Sequence, residues 1–283
     1  MSSPSEHLLT CPAPAKLNLF LRVIGRRSDG YHLLQTLFRF LEWGDTLHFT
    51  QRADGAIMRV SDLPGVPAEQ DLVVRAARLL QAETGCRLGV EVGVDKRLPL
   101  GGGLGGGSSD AATTLIALNR LWSLGLSRST LQGLGLRLGA DVPVFIFGQS
   151  AFAEGIGEQL QAVSLPPAWY VVLQPATGVA TAAIFAAAEL TRDSKPIKMQ
   201  GFSAGPGKND LQPVVCKRHP EVARQLEWLQ QFAPAGMTGS GACVFAAFDT
   251  EQAAREVLFR LPRDMSGVVA RGIDRHPLWD WLQ

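Results

Sequence analysis

The sequence predicts an α+β protein of two packed domains, and three observations support this prediction. The chain has 283 residues, 46% of them hydrophobic and 19% charged, which is enough to fill two cores of ordinary size. Segments with the two-residue period of strands alternate with segments of helical spacing. The pattern restarts after an uncharged stretch containing Pro166 and Pro167, so we expect domains at residues 1–158 and 159–283.

The first predicted strand covers residues 15–24. Its apolar residues occupy alternate positions, and Lys16, Asn18 and Arg22 lie on the other face. A period of two is typical of a strand that buries one face. We therefore expect a half-buried strand with a polar side.

The remaining elements follow from helical spacing, alternation and stop signals. In the first half we predict a helix over 71–82 ended by Gly85, a strand over 90–94, a helix opened by Ser108 and Ser109, and a helix over 127–138 ended by Gly139. In the second half we predict strands over 169–173, 243–248 and 266–272 and helices over 220–232 and 250–260. Asp141 precedes Val142 and Pro143 just after a helix, which places it at a chain reversal.

Charge balance and cysteine spacing exclude several classes of protein. Lys and Arg total 27 against 26 Asp and Glu, so no basic field attracts nucleic acid or anionic lipid. The cysteines form no CxxC or Cys/His cluster, which argues against a disulfide scaffold or structural zinc. The first residues lack the features of a secretory signal, and prolines interrupt the uncharged stretch 159–188. We expect a cytoplasmic protein with small-molecule partners and no nucleic acid, membrane or obligate protein partner.

A glycine run is the clearest candidate for a binding site. Six of the seven residues from 101 to 107 are glycine, so consecutive backbone N–H groups can converge on an anion without a Cβ in the way. Ser108 and Ser109 would add hydroxyl donors and the positive end of a helix dipole. A flexible linker or a plain strand-to-helix turn is the alternative. The position between a valine-rich strand and an amphipathic helix favours phosphate binding.

Two common nucleotide-binding folds fit this loop poorly. Gly101, Gly103 and Gly106 satisfy GxGxxG, but residues 111–140 contain no Asp or Glu to hold a ribose. A P-loop requires Lys followed by Ser or Thr after the last glycine, and here Gly107 is followed by Ser108. The loop therefore belongs to another kind of phosphate site.

Three segments together carry a family resemblance. They are PAPAKLNLFLRVIGRRSDGYHLLQT, LPLGGGLGGGSSDAA and TGSGACVFAAF, and their order and spacing resemble the three motifs of the GHMP kinase superfamily. The resemblance spans essentially the whole chain. It implies a ribosomal S5 domain 2-like N-terminal domain, a ferredoxin-like C-terminal domain, and a small-molecule kinase with ATP as co-substrate and Mg²⁺ as its counter-ion.

The first segment is most similar to those members that phosphorylate a cytidine diphosphate-linked methylerythritol in non-mevalonate isoprenoid biosynthesis. The resemblance implies that Asp141 is the catalytic carboxylate and Lys16 its partner. It implies an ATP site made by Pro99, Leu100, Gly101, Gly102, Gly103, Leu104, Gly105, Gly106, Gly107, Ser108 and Ser109. It implies a substrate site made by Asn18, Tyr31, His32, Thr181, Phe185, Gly239 and Ser240, with the cytidine ring between Tyr31 and Phe185. It identifies no metal ligands.

Plainer roles remain open for most of these residues. Lys16 could be a surface lysine, and Asp141 could cap a helix, since Asp before Pro often does so. Tyr31 and His32 could be core or turn residues, and Gly239 could belong to a simple turn. Asp110 would repel ATP phosphates unless its carboxylate points away or caps the helix.

The sequence leaves three alternative functions open. Another kinase of the superfamily with a smaller alcohol substrate would not need an aromatic platform at Tyr31. A non-catalytic nucleotide sensor is disfavoured by the presence of both Lys16 and Asp141, because a sensor has no use for a carboxylate that positions a nucleophile. An RNA-binding module is disfavoured by the near-zero net charge.

Overall fold

The computed structural model describes residues 8–199 and 202–282. Its strands are β1 Leu8–Arg26, β2 His32–Arg52, β3 Ile57–Arg59, β4 Gly89–Asp95, β5 Ala151–Glu154, β6 Gln159–Ala162, β7 Trp169–Leu173, β8 Ala235–Met237, β9 Val244–Phe248 and β10 Gly267–Ile273. Its α-helices are α1 Leu72–Thr84, α2 Gly106–Leu121, α3 Arg128–Leu138, α4 Val142–Phe147, α5 Thr181–Phe185, α6 Gln212–Arg218, α7 Pro220–Gln230 and α8 Glu251–Phe259. The mixed composition confirms the predicted α+β class.

Two long antiparallel strands organise the first half. β1 pairs with β2 along nearly its whole length, with shifts in register near Lys16, Asn18 and Val23. β2 also pairs with β5 near its start and with β4 near its end. Helices α1 to α4 cover this sheet and share one core with it. The ladder fixes Lys16 and Asn18 on a rigid element.

The prediction of a half-buried β1 is wrong. Residues from Cys11 to Leu21 are almost all buried, and this includes Lys16 and Asn18 on the polar face. The polar face is buried because the glycine loop and the segment after β8 close over it: the backbone N–H of Lys16 bonds to Leu104 O at 3.0 Å, and that of Asn18 bonds to Thr238 Oγ1 at 2.9 Å. A buried lysine must have partners, so this face belongs to a site rather than to the surface.

The second half forms a smaller antiparallel arrangement. β7 lies between β9 and β10, and β9 pairs with β8. Helices α5 to α8 share a second core with one face of these strands. The last residues of β10 also pair with Phe40 and Leu41 of β2, so the strands of the two halves join in one continuous sheet.

A third apolar core joins the two halves. It contains Leu17 and Leu19 of β1, Leu104 of the glycine loop, and Tyr170 and Phe245 of the second half. Apolar contacts of this kind hold two domains in a fixed relation. A cleft of about 780 Å³ opens beside this core, lined by residues of both halves.

Most predicted elements are confirmed within two or three residues. α1 has Asp71 as its N-cap and Gly85 as its C-cap, and α3 has Ser127 and Gly139 in these positions. The strand alternation did not reveal β2, and the shorter elements were not predicted either: β3, α4, β5, β6, α5, α6 and β8. The helix after the glycine loop begins at Gly106, two residues earlier than expected.

Two further expectations concern boundaries and membranes. The expected division between residues 158 and 159 falls in the turn between the paired strands β5 and β6, and it stays a prediction. Among the described residues, no helix has the length and apolar character needed to cross a membrane. Residues 1–7, most of the segment in which we predict no secretory signal, lie outside the described residues.

Candidate active site

The glycine loop lines one end of the cleft. Gly101, Gly103 and Gly105 have φ of 67°, 75° and 71°, a left-handed conformation that residues with a Cβ adopt at a cost. Gly105 is the N-cap of α2, so the amides of the first turn of this helix have no partner within the helix. Gly106, Gly107 and Ser108 line the cleft at this point. The arrangement suits an anion.

The two serines after the loop behave differently from each other. Ser108 lines the cleft. Ser109 is fully buried, and its hydroxyl donates to Pro14 O at 2.8 Å. The expectation that Ser109 adds a hydroxyl donor to the phosphate site is therefore wrong, because that hydroxyl anchors α2 to β1.

The segment after β8 packs directly on the glycine loop. The backbone N–H groups of Ala242 and Cys243 bond to the carbonyls of Gly101 and Gly102, each at 3.1 Å. A Cβ on Gly103 would lie 2.3 Å from the backbone oxygen of Thr238. Gly239 and Ser240 line the same cleft, as the resemblance implies. The segment is thus more than a turn into β9.

Lys16 and Asp141 meet in the cleft. Lys16 Nζ lies 3.3 Å from Asp141 Oδ2, donates to Gly103 O at 3.0 Å, and donates to Asn18 Oδ1. Lys16 is 2% exposed, whereas the side chain of Asp141 is 37% exposed. An ammonium fixed beside a reachable carboxylate can bind negative charge, while the carboxylate can accept a proton from a ligand.

Asp141 does not act as a helix cap. It holds the N-cap position of α4, with Pro143 following, but its side chain makes no capping hydrogen bond. The plainer role offered by the sequence is therefore not the one seen in the structure. Its carboxylate pairs with Lys16 instead.

Aromatic residues form the other end of the cleft. Tyr31 is 58% exposed at this end. The ring of His32 stacks on that of Phe185, with centroids 5.0 Å apart and an interplanar angle of 30°. Thr181 lies on α5 with Phe185, and its hydroxyl is 2.7 Å from that of Ser240. His32 thus covers one face of Phe185, a contact that the predicted stacking between Tyr31 and Phe185 did not include.

A buried charged cluster adjoins the glycine loop and was missed from the sequence. Lys96 lines the cleft and binds Asp45 at 2.5 Å and Asp110 at 2.6 Å. Burial, and then the charge of Asp45, raise the pKa of Asp110 to about 7, against the lowering effect of Lys96. The carboxylate of Asp110 therefore points to Lys96, which answers the concern that it would repel phosphates. Asp110 lies on the buried side of α2, where helix patterning predicts apolar residues. This departure was the signal in the sequence that could have revealed the cluster.

The described residues contain no group of three or more His, Cys, Asp or Glu side chains placed to hold a metal ion. Mg²⁺ bound to ATP keeps several waters and takes phosphate oxygens as ligands, so it does not need such a group. Asp141 lines the cleft and pairs with Lys16, whose Nζ also donates to Gly103 O of the glycine loop.

Sequence and structure comparisons agree with this geometry. The model of the GHMP kinases N terminal domain matches residues 71–149, and that of the GHMP kinases C terminal domain matches residues 185–267. A 4-diphosphocytidyl-2-C-methyl-D-erythritol kinase of Aromatoleum aromaticum is 62% identical over 275 residues, 97% of each chain. That of Thiobacillus denitrificans is 64% identical over 271 residues, 96% of this chain and 98% of the relative.

Solved structures give the same result. A crystal structure of 4-(cytidine 5'-diphospho)-2C-methyl-D-erythritol kinase superposes with a TM-score of 0.82 at 31% identity, covering 93% of this chain and 99% of that one. A mevalonate kinase structure has a TM-score of 0.67 at 14% identity, covering 94% and 100%, and this shows the shared fold alone. The chain belongs to the GHMP kinases, in the family of the 4-diphosphocytidyl-2-C-methyl-D-erythritol kinases.

Proposed function

We propose that this enzyme transfers the γ-phosphoryl group of ATP to the 2-hydroxyl of 4-diphosphocytidyl-2-C-methyl-D-erythritol, releasing ADP. The observation that carries the proposal is the ion pair of Lys16 and Asp141 between a glycine loop and an aromatic end, all within one cleft. The reaction belongs to non-mevalonate isoprenoid biosynthesis. A cytoplasmic location and the absence of nucleic-acid, membrane or obligate protein partners are part of the proposal.

Asp141 positions the nucleophile. Its carboxylate accepts the proton of the 2-hydroxyl as the bond from that oxygen to the γ-phosphorus forms and the bond from phosphorus to the ADP oxygen breaks. Phosphoryl transfer has a loose transition state, so alignment and neutralisation of charge matter more than a strong base. An exposed carboxylate held by a buried ammonium meets that need.

Lys16 and the glycine loop neutralise the transferred group. Lys16 Nζ is already bonded to Gly103 O, so the ammonium lies against the loop that would hold the phosphates. Residues 99–108, which line the cleft, contribute their backbone, with Ser108 as the hydroxyl donor. Mg²⁺ enters as part of the MgATP substrate and adds positive charge at the phosphates.

The aromatic end holds the cytidine. Tyr31 offers an exposed ring, and stacking a base on one aromatic ring is worth roughly 1 to 3 kcal/mol. His32 supplies polar contacts to the base, and Asn18 lines the cleft beside Lys16. Thr181, Gly239 and Ser240 also line the cleft and would contact the diphosphate and the erythritol. A kinase for a small alcohol would gain little from this platform.

The test is ADP release from MgATP with 4-diphosphocytidyl-2-C-methyl-D-erythritol as the acceptor. We expect acceptor-dependent turnover in wild type. The rate should fall on the order of 10²- to 10⁴-fold in Asp141→Ala and should also collapse in Lys16→Ala. Asp264→Ala is the matched control, because it removes an exposed carboxylate paired with Arg224 that does not line the cleft. Turnover with mevalonate or homoserine but not with this acceptor would mean that the substrate is a smaller alcohol. No turnover with any alcohol would favour a non-catalytic nucleotide sensor.

A further inference from the structure

Arg192 makes a set of contacts that no predicted site includes. It lies after α5 in an irregular segment and is half-buried. Its Nη2 donates to the carbonyls of Phe185 at 2.9 Å and Ala187 at 2.7 Å, and its Nη1 donates to that of Leu190 at 3.1 Å. Its Nε donates to His32 Nε2 at 3.2 Å, 160 residues away in the chain. One guanidinium thus ties the α5 segment to the start of β2.

These contacts define the protonation state of His32. A guanidinium can only donate, so Nε2 of His32 must accept, and the ring proton of the neutral imidazole is on Nδ1. Burial, and then the charges of Arg192 and Arg26, lower the pKa of His32, which favours the neutral ring. The stack on Phe185 fixes the ring plane, and Arg192 also holds the backbone of Phe185.

The Nδ1–H group of His32 is left for a ligand. Among residues 8–199 and 202–282, no hydrogen bond is formed by this atom, whereas Nε2 is occupied by Arg192. His32 lines the cleft together with Tyr31 and Phe185. A neutral ring with a fixed donor suits an acceptor atom of a base.

We propose that Arg192 is a positioning residue of the acceptor site, which holds His32 stacked on Phe185 as the Nδ1–H tautomer so that His32 donates to the ring nitrogen or carbonyl oxygen of a pyrimidine. This inference rests on the proposed function, because it takes the cytidine as the occupant of the aromatic end. An arginine suits this position, because its fork holds the loop and the ring at once, which a lysine cannot do.

The kinetic test is a double-mutant cycle. We expect Arg192→Ala to raise the KM for the cytidine-linked acceptor about tenfold, with kcat and the KM for ATP changed by less than about threefold. Because Arg192 acts through His32, adding Arg192→Ala to His32→Ala should raise that KM by less than about twofold. Equal factors in the two backgrounds would mean that Arg192 does not act through His32, and would overturn the inference.

Arg218→Ala is the matched control. Arg218 also braces α5, since its Nη1 donates to Ala183 O at 3.2 Å and it pairs with Glu189, but it does not touch His32. We expect its acceptor KM to stay within about twofold of wild type. If both arginine variants raise the KM alike, the role of Arg192 is only to order the segment, and the inference is wrong.

A spectroscopic arm separates this inference from the proposed function. Histidine ¹⁵N NMR of the whole enzyme, with the His32 signals identified by their loss in His32→Ala, should show the Nδ1–H tautomer in wild type and a gain of the Nε2–H tautomer in Arg192→Ala. An Nε2–H ring in wild type rejects the inference even if turnover is normal. Absence of turnover with this acceptor rejects the proposed function, and the tautomer still decides on Arg192.

Discussion

The two ends of the cleft are built in different ways. The phosphate end consists of backbone groups from one continuous run, fixed by β1 and by the segment after β8, with Lys16 almost fully buried beneath it. The aromatic end consists of side chains from separate segments, and Tyr31 is mostly exposed. A site made of closely packed backbone groups does not tolerate added atoms. A site made of separate side chains can lose one contact and keep the others.

Among variants that contrast the two ends, the largest effect should follow from adding one methyl group to the phosphate end. In Gly103→Ala the new Cβ would lie 2.3 Å from Thr238 O on a backbone with φ of 75°. The loop must therefore move relative to the segment after β8, and misplacing a reacting group by about 1 Å costs on the order of 10²-fold in rate. We expect kcat/KM for ATP to fall at least that far in steady-state assays.

Gly125→Ala provides the comparison for this variant. Gly125 has a similar φ of 65°, but a Cβ there meets nothing within 4 Å, and the residue does not line the cleft. Its kcat/KM should stay within about twofold of wild type. Equal losses in the two variants would trace the effect to backbone strain rather than to the fit of the two loops.

The sequence predicted the phosphate end well for a physical reason. Backbone conformation and the close approach of neighbouring segments require glycine at positions such as 101 and 103. One stretch of the sequence therefore carries the whole pattern. The partnership of Lys16 and Asp141 joins β1 to the start of α4, and only the family resemblance brought these residues together. The stack of His32 on Phe185 depends on tertiary packing and has no local signal.

At the aromatic end we expect a smaller and more selective effect. Tyr31→Ala removes an exposed ring that would stack on the base, a loss of roughly 1 to 3 kcal/mol, so the acceptor KM should rise about 5- to 150-fold. The KM for ATP should change little, because Tyr31 lies away from the glycine loop. Tyr31→Phe should restore most of the affinity in the same assay.

Phe259→Ala is a control for loss of an exposed aromatic ring. Phe259 is 92% exposed on α8 and does not line the active-site cleft. We expect no change in either KM. A Tyr31→Ala enzyme with an unchanged acceptor KM would mean that the base does not stack there, and would favour a kinase for a smaller alcohol.

The charged cluster beside the phosphate end should make the stability of the protein depend on pH. Burial and the charge of Asp45 raise the pKa of Asp110 to about 7, so this group binds a proton in the folded state at pH values where the unfolded chain has lost it. Its stabilising contribution is complete below about pH 4 and is lost as the pH rises through 7. Asp110→Asn should remove that loss, so its free energy of unfolding should fall by roughly 2 kcal/mol less than that of wild type between pH 5 and pH 8.

Urea unfolding at the two pH values measures this difference. Asp54→Asn is the matched control, because Arg52 lowers the pKa of the exposed Asp54 to about 2, and its contribution is therefore lost only below about pH 4. That variant should follow wild type from pH 5 to pH 8. Parallel curves for wild type and Asp110→Asn would show that Lys96 keeps Asp110 charged throughout.

The smallest effect should come from the hydroxyl pair that links the two ends. Thr181 Oγ1 and Ser240 Oγ lie 2.7 Å apart in a solvent-exposed part of the cleft, and one such hydrogen bond contributes about 0.5 to 1.5 kcal/mol. Thr181→Val keeps the shape of the side chain and should raise the acceptor KM about 2- to 10-fold. Thr130→Val removes a similar pair with Ser127, 2.8 Å apart and remote from the cleft, and should leave both KM values unchanged. If Thr181→Val instead lowers kcat as strongly as Gly103→Ala does, the hydroxyl pair belongs to the rigid phosphate end, and the division between the two ends must be moved.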